Sequence, residues 1–242
     1  MSIMEEKELY RMINEREGRN MAVAFPVLMR KVYVWMTLAL VITGFTAYAV
    51  ASTPALLQAI FGNRILFWGL IIGELALVWG VTGAINRLSL TTATLLFVLY
   101  SVINGATLSV IFIAFSQTVI TKTFLVTAGT FGVMSLIGYT TKADLSSMGK
   151  ILFMALIGLI IATVVNLFVH STMLETIVSY VGVLIFVGLT AHDTQKIKMM
   201  LATSDSMDEN MQKLALLGAL NLYLDFINLF LFLLRIFGGN RN

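Results

Sequence analysis

The sequence has 242 residues and no cysteine, which excludes disulfides, thiol catalysis and cysteine-bound zinc. Hydrophobic residues make up 58% of the chain and charged residues only 12%, with a mean hydropathy of +0.90. Soluble domains hold about 25% charged residues, so this composition indicates an integral membrane protein with the lipid bilayer as its main partner. The net charge of +3 is not gathered into a basic stripe, and we expect no nucleic-acid partner.

The first 31 residues form a polar segment of mixed charge ahead of the first apolar run. This segment is too long and too acidic for the start of a signal peptide, and too rich in glutamate for a mitochondrial presequence. We therefore predict a solvated or partly amphipathic cytoplasmic tail over residues 1–31 and a transmembrane domain over residues 32–242. The first apolar run is then a retained span.

Seven apolar runs follow the tail. They cover residues 32–51, 65–85, 91–115, 119–139, 151–169, 174–191 and 214–237. Each has the roughly 17–25 residues that a helix needs to cross about 30 Å of hydrocarbon. None alternates with the period of two that a barrel strand would show. The sequence predicts an all-α polytopic membrane protein with seven transmembrane helices, brief connectors, and both prolines, Pro26 and Pro54, outside the runs.

Lysine and arginine are distributed unevenly between the two sides of this topology. With the N-terminus inside, the cytoplasmic side holds twelve of them: Lys7, Arg11, Arg16, Arg19, Arg30, Lys31, Arg87, Lys142, Lys150, Lys196, Lys198 and Lys213. The other side holds Arg64, Lys122, Arg235 and Arg241. This bias predicts a cytoplasmic N-terminus. A last helix that re-entered instead of crossing would also leave the C-terminus inside.

The second run is rich in small residues. Gly69, Gly73, Gly80 and Gly83 recur at spacings of four and seven residues. Glycines at four-residue spacing let transmembrane helices approach closely. We therefore predict close helix packing along this face.

Three acids lie at or near membrane depth: Glu74 in the second run, Asp193 at the end of the sixth and Asp225 in the seventh. An ionisable group at that depth costs at least ~2.5–3.5 kcal/mol, so it normally faces the bundle interior or water and is functional. A buried polar network that only locks helix packing remains the structural alternative.

The last run carries one narrow polar stripe. At about 100° per residue, a sector roughly 80° wide holds Asn221, Asp225, Asn228 and Arg235. The rest of that sector is apolar apart from Gly218. This pattern predicts a last helix surrounded by protein rather than by lipid. Arg235, near the helix end, could also reach the membrane interface by itself.

The two histidines form no recognisable zinc spacing. We expect His170 to be an interfacial residue at the end of the fifth run, sharing a helix face with Asn166. His192 adjoins Asp193, but neighbouring positions on a helix are about 100° apart, so we expect its side chain to point elsewhere. The chain also lacks a nucleophile elbow, an H-E-x-x-H motif and a phosphate loop, and we expect neither an enzyme nor a resident cofactor.

Four segments resemble a known family. They are "LNLYLDFINLFLFLLRIFG" (220–238), "GLTAHDTQKIK" (188–198), "YSVINGATLS" (100–109) and "IIGELAL" (71–77). Together they resemble the Bax inhibitor family, the transmembrane Bax-inhibitor-motif proteins. The short chain without organelle signals favours a bacterial member in the inner membrane, and we expect a monomer.

The resemblance implies a fold and a function. It implies a seven-helix bundle whose last helix is central and wrapped by the other six, and a pH-sensitive calcium leak. The family's facing aspartates on the sixth and seventh helices correspond to Asp193 and Asp225, and Glu74 takes the place of its second-helix acid. Arg87 is the nearest candidate for the arginine that latches against the sixth-helix aspartate.

Such a pair has a simple physical chemistry. Two carboxylates in a poorly hydrated space repel each other and titrate as a unit. When deprotonated they attract Ca²⁺, with carbonyls of Asn221 or Asn228 as further oxygen ligands. So few ligands make a weak, transient calcium site, as permeation requires. The expected supporting polar network is Glu74, Asn221, Asn228 and Arg235.

Two other functions stay open at this point. One is a regulatory membrane protein that binds a membrane protease or stress and cell-death factors without transporting ions. The other is a proton-coupled carrier that uses the same aspartates.

Overall fold

The computed structural model describes residues 3–202 and 208–239, with side chains from residue 24 onward. The side chains of the predicted tail up to residue 23, and Arg241, lie outside that part. Its elements, in chain order, are α1 (Ile3–Ala51), α2 (Pro54–Phe61), α3 (Arg64–Ala84), α4 (Leu90–Leu108), α5 (Ile111–Ala114), α6 (Gln117–Thr140), α7 (Ser146–Val169), α8 (Thr172–Ala202) and α9 (Glu209–Gly238). Over these residues the protein is helical and contains no strand.

Seven segments are long and apolar enough to cross a membrane. They are Ala24–Ala51, Arg64–Ala84, Leu90–Ala114, Gln117–Thr140, Ser146–Val169, Thr172–Ala202 and Glu209–Gly238. The predicted all-α, seven-helix membrane fold is confirmed. Because α9 is one uninterrupted helix of 30 residues, it has no re-entrant turn and is long enough to cross. The division into a tail over 1–31 and a domain over 32–242 stays a prediction.

The helices differ from the apolar runs in several places. The connector between the first two spans contains α2, which starts with Pro54, a residue preorganised for the first helical turn. Pro26 lies inside α1 and within the first span, Ala24–Ala51, although it precedes the first apolar run. The third run is interrupted at Ser109, between α4 and α5.

The sixth run is longer in the structure than the hydropathy indicates. Helix α8 continues past residue 191 to Ala202, so Asp193 lies inside the helix rather than at its end. Thr194, Ile197 and Leu201 are buried at helical spacing in this extension. Packing against neighbouring helices, not apolar composition, therefore sets the length of α8.

Helix α9 is the centre of the bundle. In its most apolar stretch 67% of the residues are buried, against 6% in α3 and in α7. It packs chiefly on α1, α4, α6 and α8, whereas α3 packs on α4 and α7 packs on α8 at the periphery. The predicted central position of the last helix is confirmed.

The prediction of close packing at the glycines of the second run is wrong. A Cβ added at Gly69, Gly73, Gly80 or Gly83 would meet no atom within 4 Å. These glycines lie on a peripheral helix. The close approaches occur elsewhere: at Gly105 against Thr43 of α1, at Gly138 against Ala191 of α8, and at Gly149 against His192 of α8.

Side-chain contacts join several elements at one end of the bundle, called here the basic end. It comprises the α3–α4 and α6–α7 connectors and the start of α9. Lys213 Nζ donates to the Leu88 carbonyl (3.2 Å), Lys198 Nζ donates to the Tyr139 carbonyl (2.6 Å), and Glu209 accepts from the Leu90 amide (2.8 Å). The cytoplasmic location of this end remains a prediction from the charge bias.

Candidate functional site

A cavity of about 990 Å³ lies between α7, α8 and α9. Asp193 of α8 and Asp225 of α9 both line it. Two acids that are 32 positions apart in the chain therefore share one space inside the membrane-spanning part of the bundle. We call this space the aspartate cavity.

Asp225 is the more deeply buried of the two aspartates. Its side chain is 5% exposed, and within the part of the chain that the structure describes its Oδ2 atom has no hydrogen-bond partner. Buried side-chain oxygens are nearly always hydrogen-bonded, and a buried carboxylate without a partner is costly. A proton or a cation would offset that cost. The geometry of Asp225 thus suits a group whose partner comes from outside the protein.

Asp193 is partly exposed and has a partner in its own helix. The Oδ1 atom of Asp193 lies 2.8 Å from Nδ1 of His192, which also lines the aspartate cavity. When the carboxylate is ionised, the imidazole N–H is the donor. The expectation that His192 points elsewhere is wrong. The ring lies against Gly149 of α7, where the absence of a Cβ leaves room for it, and from there it reaches back to its neighbour.

The polar stripe of the last helix faces this cavity. Asn221, Asn228 and Arg235 line it together with Asp225. The stripe therefore follows one face of α9, as predicted, and that face borders the cavity rather than packed protein. Arg235 is exposed, and its guanidinium lies 5.4 Å from the centre of the Phe232 ring.

A second cavity of about 400 Å³ continues the first toward the end of the bundle opposite the basic end. The two cavities share Thr163 and Arg235 as lining residues. His170 and Glu175 line the second cavity. His170 is exposed and ends α7 in the left-handed conformation, with a φ of 53°. Its location at a membrane interface stays a prediction.

Asn166, which also lines the second cavity, makes a local contact. Its Oδ1 atom accepts a hydrogen bond from the Ser171 amide (2.9 Å) at the start of the turn into α8. Asn166 therefore stabilises the turn between the two helices.

Glu74 lies in a different network. Its carboxylate accepts hydrogen bonds from Thr107 Oγ1 (2.6 Å) and Asn104 Nδ2 (3.3 Å) of α4. The hydroxyl of Tyr223 in α9 donates to Asn104 Oδ1 (2.9 Å) and lies 2.7 Å from Thr43 Oγ1 of α1. We call this set the tyrosine network. Glu74 is thus not among the residues that line the aspartate cavity.

Sequence reasoning missed the tyrosine network, although its residues carry a signal. Asn104 and Thr107 lie in an apolar run next to a membrane acid, and Tyr223 is two positions from Asp225. Two positions along a helix turn the side chain by about 200°, so Tyr223 and Asp225 occupy opposite sides of α9.

The arginine predicted as a latch is not paired with Asp193 in this conformation. Arg87 is exposed beyond the end of α3, and the ion pair found among the described side chains joins Asp193 to His192. Lys150 and Lys196 are the basic residues that line the aspartate cavity nearest the basic end. The latch role of Arg87 stays a prediction.

Comparison with known proteins gives consistent matches. The family model described as "Inhibitor of apoptosis-promoting Bax1" matches residues 26–242. The chain is 53% identical over 214 residues to the inner membrane protein YbhL of Escherichia coli K12, covering 88% of this chain and 92% of that protein. It is 45% identical over 212 residues to an uncharacterised protein of Borreliella burgdorferi, covering 88% and 91%. With this family match, and with the seven-helix bundle around α9, the chain belongs to the Bax inhibitor family of integral membrane proteins.

Proposed function

We propose that the chain is a calcium leak channel of a cell membrane, gated by the protonation of Asp193 and Asp225. The observation that carries the proposal is the position of both aspartates on one cavity, where the Oδ2 atom of Asp225 has no partner among the described residues. Carboxylate oxygens are the ligands that Ca²⁺ prefers. Over the described residues, no three His, Cys, Asp or Glu side chains form a metal cluster, which suits a site that releases its ion.

Protonation of the aspartate pair would weaken both its attraction for the cation and its ability to coordinate it. Two carboxylates in one cavity titrate as a coupled pair, so the proton state belongs to the cavity as a whole. Adding a proton removes a charge that attracts the cation and an oxygen that binds it. We therefore expect calcium flux to change with pH through these two side chains.

The proposed route follows α7, α8 and α9. It begins at the basic end beside Lys150 and Lys196, passes the aspartates, and reaches the second cavity beside Thr163 and Arg235. By the charge bias, the basic end would be cytoplasmic and the second cavity would open to the other side. Because the relative YbhL is an inner membrane protein, we place the channel in a bacterial inner membrane, with calcium as cargo, no resident cofactor and no enzymatic activity.

The test is calcium flux into dye-loaded proteoliposomes from about pH 5.5 to about pH 8, a range in which such a pair can titrate. We expect a pH-dependent flux in the wild type, and a lower flux without that pH response in Asp193→Asn and in Asp225→Asn. Both substitutions keep the side-chain size and remove the charge.

The matched control is Asp144→Asn. Asp144 lies in the α6–α7 connector outside the cavity, and hydrogen bonds from the side chain and backbone of Ser146 lower its pKa, so it stays ionised over the range tested. Asparagine can accept the same bond from the Ser146 amide (2.9 Å), so this variant should behave like the wild type. Absence of flux from well-folded protein at every pH would overturn the leak and favour a regulator that binds partner proteins.

A further inference from the structure

Apolar side chains form more of the lining of the aspartate cavity than a path for a hydrated cation needs. Apolar side chains from all three helices line it: Leu156, Ile160, Val164, Phe186, Leu189 and Phe232. Such groups cannot replace the hydration shell of a metal ion, which takes oxygen ligands. Pockets that enclose drug-sized organic ligands measure about 300–1,000 Å³ and are mostly apolar with a few polar groups. The volume of about 990 Å³ and the lining match that description.

The charged residues around the cavity indicate whether such a ligand is a cation or an anion. The cationic side chains on its lining, Lys150, Lys196 and Arg235, are all exposed. The two lysines can turn toward solvent or the membrane interface, and the Arg235 guanidinium lies against the Phe232 ring, so these cations need no counterion from a ligand. Asp225 is buried near the middle of α9, and its Oδ2 atom has no partner in the described part of the chain. When its carboxylate is ionised, the interaction left unmet is that of an anion, and the complementary ligand is a cation.

The wall of the cavity is open between α7 and α9. Helix α7 packs chiefly on α8, and the cavity separates it from α9. Ile160 and Val164 of α7 line the cavity and are 55% and 48% exposed, so this part of the wall is open rather than packed against another helix. A ligand that entered between α7 and α9 would reach the cavity without crossing either end of the bundle.

We propose that the aspartate cavity binds amphipathic organic cations, with the apolar body of the ligand against the walls and its positive charge paired with Asp225. This site goes beyond calcium permeation and does not depend on it. A ligand of this class would occupy the space through which the calcium route is proposed to pass.

The test uses two probes of the same shape and opposite charge, tetraphenylphosphonium and tetraphenylborate, whose charges do not vary with pH. Binding is measured by equilibrium dialysis against the full-length protein in a neutral detergent without calcium, with protein-free micelles subtracted. We expect saturable binding of tetraphenylphosphonium, at least about tenfold weaker binding of tetraphenylborate, and at least about tenfold weaker tetraphenylphosphonium binding in Asp225→Asn.

A second pair of variants tests the walls independently of the charge. Ile160→Trp adds bulk to the cavity, whereas Ile161→Trp adds the same bulk to a neighbouring exposed position that does not line it. We expect Ile160→Trp to weaken tetraphenylphosphonium binding at least about fivefold and Ile161→Trp to leave it unchanged.

Three results would overturn the site. They are the absence of saturable binding by well-folded protein, equal binding of the two probes, and binding that neither Asp225→Asn nor Ile160→Trp weakens. Because calcium takes no part in the assay, a failure of the leak and a failure of this site are separate results.

Discussion

Polar side chains on the two sides of α9 differ in whether they have hydrogen-bond partners. On one side Tyr223 is fully buried, and its hydroxyl lies between Thr43 and Asn104 in a network that extends to Glu74. On the other side Asp225 is almost as deeply buried, yet its Oδ2 atom has no partner among the described residues and its side chain lines a cavity.

This difference favours a structural role for Tyr223 and supports the functional role proposed for Asp225 at the same depth of one helix. The tyrosine network joins α1, α3, α4 and α9 by hydrogen bonds, and the groups that form it are already paired with one another rather than with a ligand. A charged group without a partner destabilises the bundle unless something from outside satisfies it. The burial of a polar residue therefore does not reveal its role, whereas its hydrogen-bond partners do.

The largest expected effect on stability concerns the contact between α1 and α4, beside the tyrosine network. A Cβ at Gly105 would lie 2.6 Å from the Thr43 carbonyl oxygen and 2.8 Å from Cβ of Thr46, so Gly105→Ala must push α4 away from α1. We expect a loss of about 1–3 kcal/mol, seen as a lower Tm in detergent. Gly73→Ala, which meets no atom within 4 Å, is the matched control and should leave Tm unchanged or slightly raised. Equal destabilisation by both variants would contradict the packing described.

The next effect concerns the network itself. Tyr223→Phe removes the hydroxyl that donates to Asn104 Oδ1 at 2.9 Å, while the ring keeps its edge contacts with Phe97 and Tyr100. We expect a loss of about 1–2 kcal/mol, because hydrogen bonds between membrane helices are modest and buried partners are left unpaired. Thermal unfolding measures the loss. Unchanged stability together with altered calcium flux would reverse the roles given to the two sides of α9.

The smallest effect concerns His192 on the cavity side. His192→Asn places an amide donor near the position of Nδ1 and should keep the bond to Asp193. His192→Leu removes the donor and frees the carboxylate to reorient. We expect calcium flux within about twofold of wild type for the asparagine variant and a reduction of about threefold for the leucine variant, because water replaces part of the lost bond at a partly exposed carboxylate. Wild-type flux in both variants would show that the bond has no role in permeation.

Hydropathy was sufficient to predict the seven spans, and helical spacing was sufficient to place Asn221, Asp225, Asn228 and Arg235 on one face. Hydropathy did not predict α2. It also did not predict the extension of α8 to Ala202, because the buried threonine and glutamine side chains of α8 pack against neighbouring helices without raising the apolar content. The glycine spacing in α3 was misleading, since spacing along one helix does not reveal whether a second helix lies beside it.

The candidate site could be predicted only in part, because its geometry also depends on which helices lie beside each other. The pairing of Asp193 and Asp225 came from a family resemblance, and both do line one cavity. The contact of His192 with Asp193 depends on the space that Gly149 leaves on a different helix, and the separation of Glu74 from the cavity depends on which side of α9 faces α4. Both are tertiary properties that a single sequence does not contain.

The most direct measurement of the central claim is calcium flux against pH for Asp225→Asn and Tyr223→Phe in the same proteoliposomes, with equal amounts of folded protein. The proposed gate predicts that Asp225→Asn loses at least about tenfold in flux and its pH response, whereas Tyr223→Phe keeps both despite its lower Tm. A pH-dependent flux that survives Asp225→Asn, or that is lost in Tyr223→Phe, would contradict it.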